Sequence, residues 1–230
     1  MGFFFVYFHR YGAKEMMISL IPIKQAGIYP QRQIIWSNPP IAEVPVPLVP
    51  QVHRDAVIGA GSAVIGGVSI AEGVFVGMNV LIRADASPPF YIGPRSNLQD
   101  FVSIHCHPGE YAEVEGKQYG VYIEGNVSIQ QHSAPHGPLI IGEGTFVGQH
   151  CSIANATIGR NCVIQHGAVI TGKVVIPDNR FIAPGQTVWK QSQADLLPPV
   201  PSRYRGLNTQ IADYYYRLGI TYRRTTPLFV

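Results

Sequence analysis

The chain has 230 residues, 46% of them hydrophobic and only 13% charged, which is enough for one globular core. Its formal net charge of +3 is small and its Lys and Arg are scattered, so nothing electrostatic asks for nucleic acid or an acidic membrane. Three cysteines, Cys106, Cys151 and Cys162, lack the paired spacing of a disulfide framework or a thiolate zinc site.

Residues Phe3 to Phe8 form an apolar run with no basic residue before it. The run is too short to span a bilayer and lacks a basic leader and a small-residue cleavage site, which points to a cytoplasmic protein. Met16 or Met17 is an alternative start, and residues 1–15 are otherwise a tail for a protein partner. Residues 30–50 carry Pro30, Pro39, Pro40, Pro45, Pro47 and Pro50, an extended lead-in rather than a helix.

From Ile58 an aliphatic residue recurs at every sixth position to Ile82, again at Ile92, Leu98 and Ile104, and again from Ile123 to Ile153, with Pro135 in one place. The ladder resumes one residue early at Ile158 and runs to Ile182. Six fits neither a helix face nor strand alternation; it fits a three-sided solenoid with one hexad per side. A coil is then about 18 residues, and stacked coils lie roughly 4.8 Å apart. Small or aliphatic residues two places earlier (Ala56, Ser62, Val68, Ser96, Val102, Ser133) are expected to fill the corners. Glycines after the ladder position, such as Gly59, Gly77 and Gly148, suit a tight bend. Cys151 and Cys162 fall at the small corner position and read as buried hydrophobes.

After Pro198-Pro199-Val200-Pro201, the spacing of Tyr204, Leu207, Ile211, Tyr214, Tyr215 and Leu218 predicts one amphipathic helix over 203–218, packed along the prism or against a partner. Tyr222-Arg223-Arg224 reads as a solvated end. The expected organisation is an extension and lead-in over 1–50, the solenoid over 51–190, and a linker, helix and tail over 191–230.

Two excursions interrupt the ladder, Ala84 to Tyr91 and His107 to Gly120, and excursions from a rigid solenoid are where function concentrates. Around them gather Arg83, Asp85, Asn97, Gln99, His105, His107, Gln131, His132 and His136. His105 and His136 each follow a ladder position, so with the second excursion as a bulge they stack about 4.8 Å apart on one outer face. Two imidazoles so placed can share an ion at zinc–nitrogen distances of about 2.0–2.1 Å. Arg83 falls in the same column. Gln99 and the Gln130-Gln131-His132 run fall on a neighbouring face, so a third ligand from there would come from another subunit, three prisms closing the site around an axis.

Ile82-Arg83-Ala84-Asp85, Pro94 to Asp100, Ser103-Ile104-His105, Gly116-Lys117-Gln118-Tyr119 leading to Val127-Ser128-Ile129, and His136-Gly137-Pro138 occur in this order and in register. In these motifs the chain resembles the γ-class carbonic anhydrases, from about residue 50 to Pro198. The likeness is to the branch holding the archaeal enzyme and the amino-terminal domain of the carboxysome scaffolding protein. The resemblance implies a left-handed parallel β-helix, a homotrimer, and zinc held by two histidines of one subunit and one of its neighbour. The cation lowers the pKa of a water that attacks carbon dioxide, giving bicarbonate. By the same resemblance His105 and His136 match two ligands, Arg83 and Asp85 match a pair that bridges subunits, and Asn97 and Gln99 match polar residues lining the site.

The third ligand position holds Gln131, a poor zinc ligand, and His132 is one residue late, facing away from the site unless a bulge at Pro135 re-aims it. Ala86 and Pro108 stand where proton-transfer carboxylates are expected, with His107, Glu110 and Glu113 as substitutes. Three readings follow. One is a carbonic anhydrase using His105, His132 and His136 with zinc; another divalent metal is an alternative ion. The second is an inactive structural or scaffolding trimer without metal. The third is a hexapeptide acyltransferase with His150 or His166 as general base.

Overall fold

The computed structural model describes residues 33–225; the Phe3 to Phe8 run, Met16, Met17 and the amino-terminal tail lie outside them. The ladder residues form the inner edge of three rows of short parallel strands that wind as a prism. On the first face Ile34–Trp36, Ala63–Gly66, Leu81–Ala84 and Ser103–His105 lead to the front halves of two long strands, Ala134–Ile141 and Ser152–Ile158, and end at Val169–Ile170 and Thr187–Val188. The second face runs from Gln51–Val52 through Val68–Ile70, Phe90–Ile92 and Val121–Ile123 to the back halves of those strands and Val174–Ile176. The third holds seven strands from Val57–Ile58 to Phe181–Ile182.

Every aliphatic ladder side chain is at most 2% exposed, and Pro135 is buried with them. The early resumption at Ile158 has a physical cause. His136 pairs with Ala154 but Leu139 pairs with Ala156, so Ala134–Ile141 carries one residue more than its neighbour between these points. The bulge therefore lies after His136. Pro135 pairs with Ile153 in regular register, and nothing there re-aims His132.

The corner residues behave as small fillers, with an addition: their hydroxyls tie coil to coil. Ser62 Oγ donates to Gly77 O (2.8 Å) and accepts from Val80 N–H (2.9 Å); Ser133 Oγ donates to Gly148 O (2.7 Å) and accepts from Cys151 N–H (3.1 Å). Cys151 and Cys162 are buried free thiols, as expected. The reason for glycine after the ladder position is different from the expected bend. A Cβ at Gly59 would lie 2.2 Å from Gly77 O, so the requirement is close approach of one coil to the next. The left-handed bend comes two residues later, at Gly61, Asn79, Phe101, His132 and His150.

The first excursion is an irregular loop, while the second contains an antiparallel hairpin, Ala112–Val114 with Lys117–Tyr119, that the aliphatic ladder did not announce. The lead-in is anchored by Asn38, whose Oδ1 accepts from Leu48 N–H at 2.7 Å. A short helix α1, Gln191–Asp195, closes the far end, with Ala194 and Leu197 joining the prism core. Ser202–Tyr204 is a single 3-10 turn, and the long helix α2 spans Leu207–Thr225, later and longer than the spacing suggested. It lies along the third face: Tyr215, Leu218 and Tyr222 pack on Val57 and Phe75, and Leu207 and Ile211 on Phe146, Val163 and Phe181. No described helix is long and apolar enough to cross a membrane.

Candidate metal centre

On the outer side of the first face, strand pairing sets His105 directly against Arg83 on one side and His136 on the other. Arg83 Nε also contacts Asp85 Oδ2 at 3.0 Å, so these two form an ion pair within one chain. His136 Nδ1 lies 2.8 Å from Gly137 O. A carbonyl only accepts, so Nδ1 carries the proton and Nε2 keeps its lone pair, the arrangement a metal-binding imidazole needs. His105 Nε2 is 3.1 Å from Ser103 Oγ. Burial, then the neighbouring Arg83 and His136, hold the His105 pKa below the usual imidazole value, with Asp85 opposing in part. A neutral ring at neutral pH is the ligating form.

The strand ends at His105, and the two residues after it still alternate in direction. Cys106 turns inward onto the prism core, where a Cβ on Gly137 would come 2.5 Å from its Sγ. Burial first, and Glu110 second, push its thiol up to about 11, so the free Cys106 side chain is a neutral thiol turned away from the histidines. His107 turns back out, and its ring lies 4.5 Å from that of His136, tilted by 54°. Glu110 and Glu113 are exposed on the second excursion, Glu113 within the hairpin.

The other candidate residues lie elsewhere on the chain. Asn97 and Gln99 are buried at 0% and 2% exposure, in a chain of bonds from Gln99 Nε2 to Asn97 Oδ1 (3.0 Å) and from Asn97 Nδ2 to Ser128 Oγ (2.8 Å). Asn97 lies on the strand Asn97–Leu98, which α2 packs against, and Gln99 follows directly after it. Gln131 sits at a corner, its Oε1 accepting from Gln149 Nε2 at 3.0 Å. His132, with φ 60°, is stacked flat between Phe101 and His150, each 4.9 Å away. His166 Nδ1 accepts from Gln149 N–H at 2.9 Å. Among the described residues no group of three or more His, Cys, Asp or Glu side chains is placed to hold a metal ion as it stands. By donor chemistry alone, the imidazoles of the paired His105 and His136 suit a borderline divalent cation. The proximity of His107 to His136 was missed, although the two-residue spacing from His105 to His107 is its signal.

Residues 138–172 match the family model described as bacterial transferase hexapeptide (six repeats), and residues 54–84 match hexapeptide repeat of succinyl-transferase. Over 204 residues the chain is 36% identical to a carbonic anhydrase of Methanosarcina thermophila, covering 84% of this chain and 82% of that one. It is 33% identical over 156 residues to the carboxysome assembly protein CcmM of Nostoc, covering 67% of this chain but 28% of that protein. A solved hexapeptide transferase family protein from Anaplasma phagocytophilum shares the fold, with a TM-score of 0.62 at 18% identity over 76% of this chain and 93% of that one. A shared hexad solenoid with this identity over most of both chains makes the protein a member of the γ-class carbonic anhydrase family.

Proposed function

We propose that this protein catalyses the reversible hydration of carbon dioxide at a zinc site on the first face, working as a cytoplasmic homotrimer. The observation that carries the reading is the direct pairing of His105 with His136, with the Nε2 of His136 left free by its bond to Gly137. Lewis acidity at that point, when a divalent cation is bound, is the chemistry that makes water a nucleophile near neutral pH. The rest is supplied by the chain. Burial keeps His105 neutral, and the Arg83–Asp85 pair fixes a charged rim beside it. Proton export falls to Glu110 and Glu113, which stand exposed on the adjoining excursion. A role for Asn97, Gln99 or His132 at this site would have to be played from a neighbouring subunit, since none shares the first face with the histidine column.

A second reading is a scaffolding trimer, supported by the Gln131–Gln149 bond at the departed ligand position and by the similarity to a carboxysome assembly protein. Zinc analysis with stopped-flow carbon dioxide hydration separates the two. The enzyme reading expects retained zinc and hydration that His136→Ala cuts by about 100-fold or more. A folded protein that keeps no zinc and gives no acceleration supports the scaffold instead.

A further inference from the structure

We propose that His107 is the third metal ligand, so that His105, His107 and His136 of one chain hold a divalent cation of the zinc class with no ligand from a neighbour. The proposal rests on the metal site proposed above and names how that site is completed. Residues two apart on extended backbone project to the same side, and although the strand ends at His105 the packing of the next two residues keeps that alternation. His105 points out, Cys106 points into the core and His107 points out again, its ring 4.5 Å from His136. His136 in turn is the direct cross-strand partner of His105. The three rings thus share one patch of one face.

The side chains at the corner are otherwise engaged. Gln131 is bonded to Gln149, and a carboxamide is a weak zinc ligand. His132 is sandwiched between two parallel rings, and drawing it out would break both stacks. His107 is exposed and tilted against His136, so an ion at about 2.0–2.1 Å from each nitrogen requires rotation of a surface side chain. Three imidazoles leave the fourth tetrahedral position open for water, as catalytic zinc sites do.

The test uses the full chain and its variants His107→Ala, His132→Ala and Gln131→Ala, loaded with zinc or cobalt. Zinc affinity is read by chelator competition, and the number of bound imidazoles by X-ray absorption. Because His107 is exposed, circular dichroism should show all folds intact. The expected result is a loss of about 100-fold or more in affinity, with one fewer imidazole, for His107→Ala alone. Wild-type affinity in His107→Ala, or the loss appearing in His132→Ala, would overturn the proposal while leaving the metal site standing. A folded wild type that binds neither zinc nor cobalt overturns the metal site and this ligand with it.

Discussion

Single side chains at the corners decide how well one coil sits on the next. Ser133 is 1% exposed, and its hydroxyl serves two backbone groups of the following coil, Gly148 O and Cys151 N–H. Water cannot reach that corner to replace it. Ser133→Ala strands one buried donor and one buried acceptor, so the expected cost is about 1–3 kcal/mol. In a chain of this size that lowers the melting temperature by about 2–4 °C per kcal/mol, measurable by calorimetry. The hydroxyl position was legible as a small corner residue, but its bonding was not, because periodicity reports size and polarity and carries no information on the partner coil. The same limit applied at Gly59 and Gly77. Glycine was visible in the sequence, whereas the reason for it, a neighbouring backbone within 3 Å of a Cβ, exists only once coils are stacked.

At the scale of elements, the strands are too short to be held by their own ladders, and links that cross several coils matter more. Glu124 accepts from Glu143 N–H on the next coil at 2.8 Å and forms a two-bond pair with Arg160 on the one after, at 2.9 and 3.0 Å. Arg160 first holds the Glu124 carboxyl below its usual value; burial, the next-largest influence, opposes it, and the Glu143 amide adds to the lowering. A depressed folded pKa means that the stabilisation is complete above the ordinary Glu value of about 4.3 and is lost as pH falls through the folded value. Arg160→Ala should therefore melt below wild type at about pH 6, and the gap should narrow as pH falls to about 3. A constant gap in thermal melts across that range would show that the pair contributes nothing through Glu124 titration. The hairpin of the second excursion illustrates what sequence could not supply at this scale. Its position was marked by the break in the ladder, but Ala112–Val114 and Lys117–Tyr119 are short and weakly alternating, and their pairing is set by docking beside the prism.

At the scale of the whole molecule, the six-residue period was enough to place the faces, because within each unbroken stretch of the ladder one inward residue per side fixes the direction of its neighbours. Arg83, His105 and His136 could be aligned from the sequence for this reason, and strand pairing puts them together. The tilt of His107 onto His136 was beyond it, since the excursion leaves the ladder that served as the ruler. The covering of the faces follows from the same geometry. Helix α2 lies along the third face, while the outer side of the first carries Ile34, Leu81 and Val169 in one column with small residues between them, beside the column that runs from Trp36 through Arg83, His105 and His136, with Trp189 at the far end of the face. Trp36 is 65% exposed and Trp189 51% at opposite ends of that face, where an isolated chain would leave them in water. An open apolar strip of this kind is the expected signature of association. If this face packs in the proposed trimer, the wild type should sediment at three times the chain mass of 25.2 kDa. Leu81→Arg places a charge on the outer side of the strip, away from the prism core. It should yield a folded chain of single mass, with unchanged circular dichroism and a red shift in tryptophan emission as Trp36 and Trp189 become solvated. A Leu81→Arg protein that still sediments as wild type would show that the subunits meet through another face.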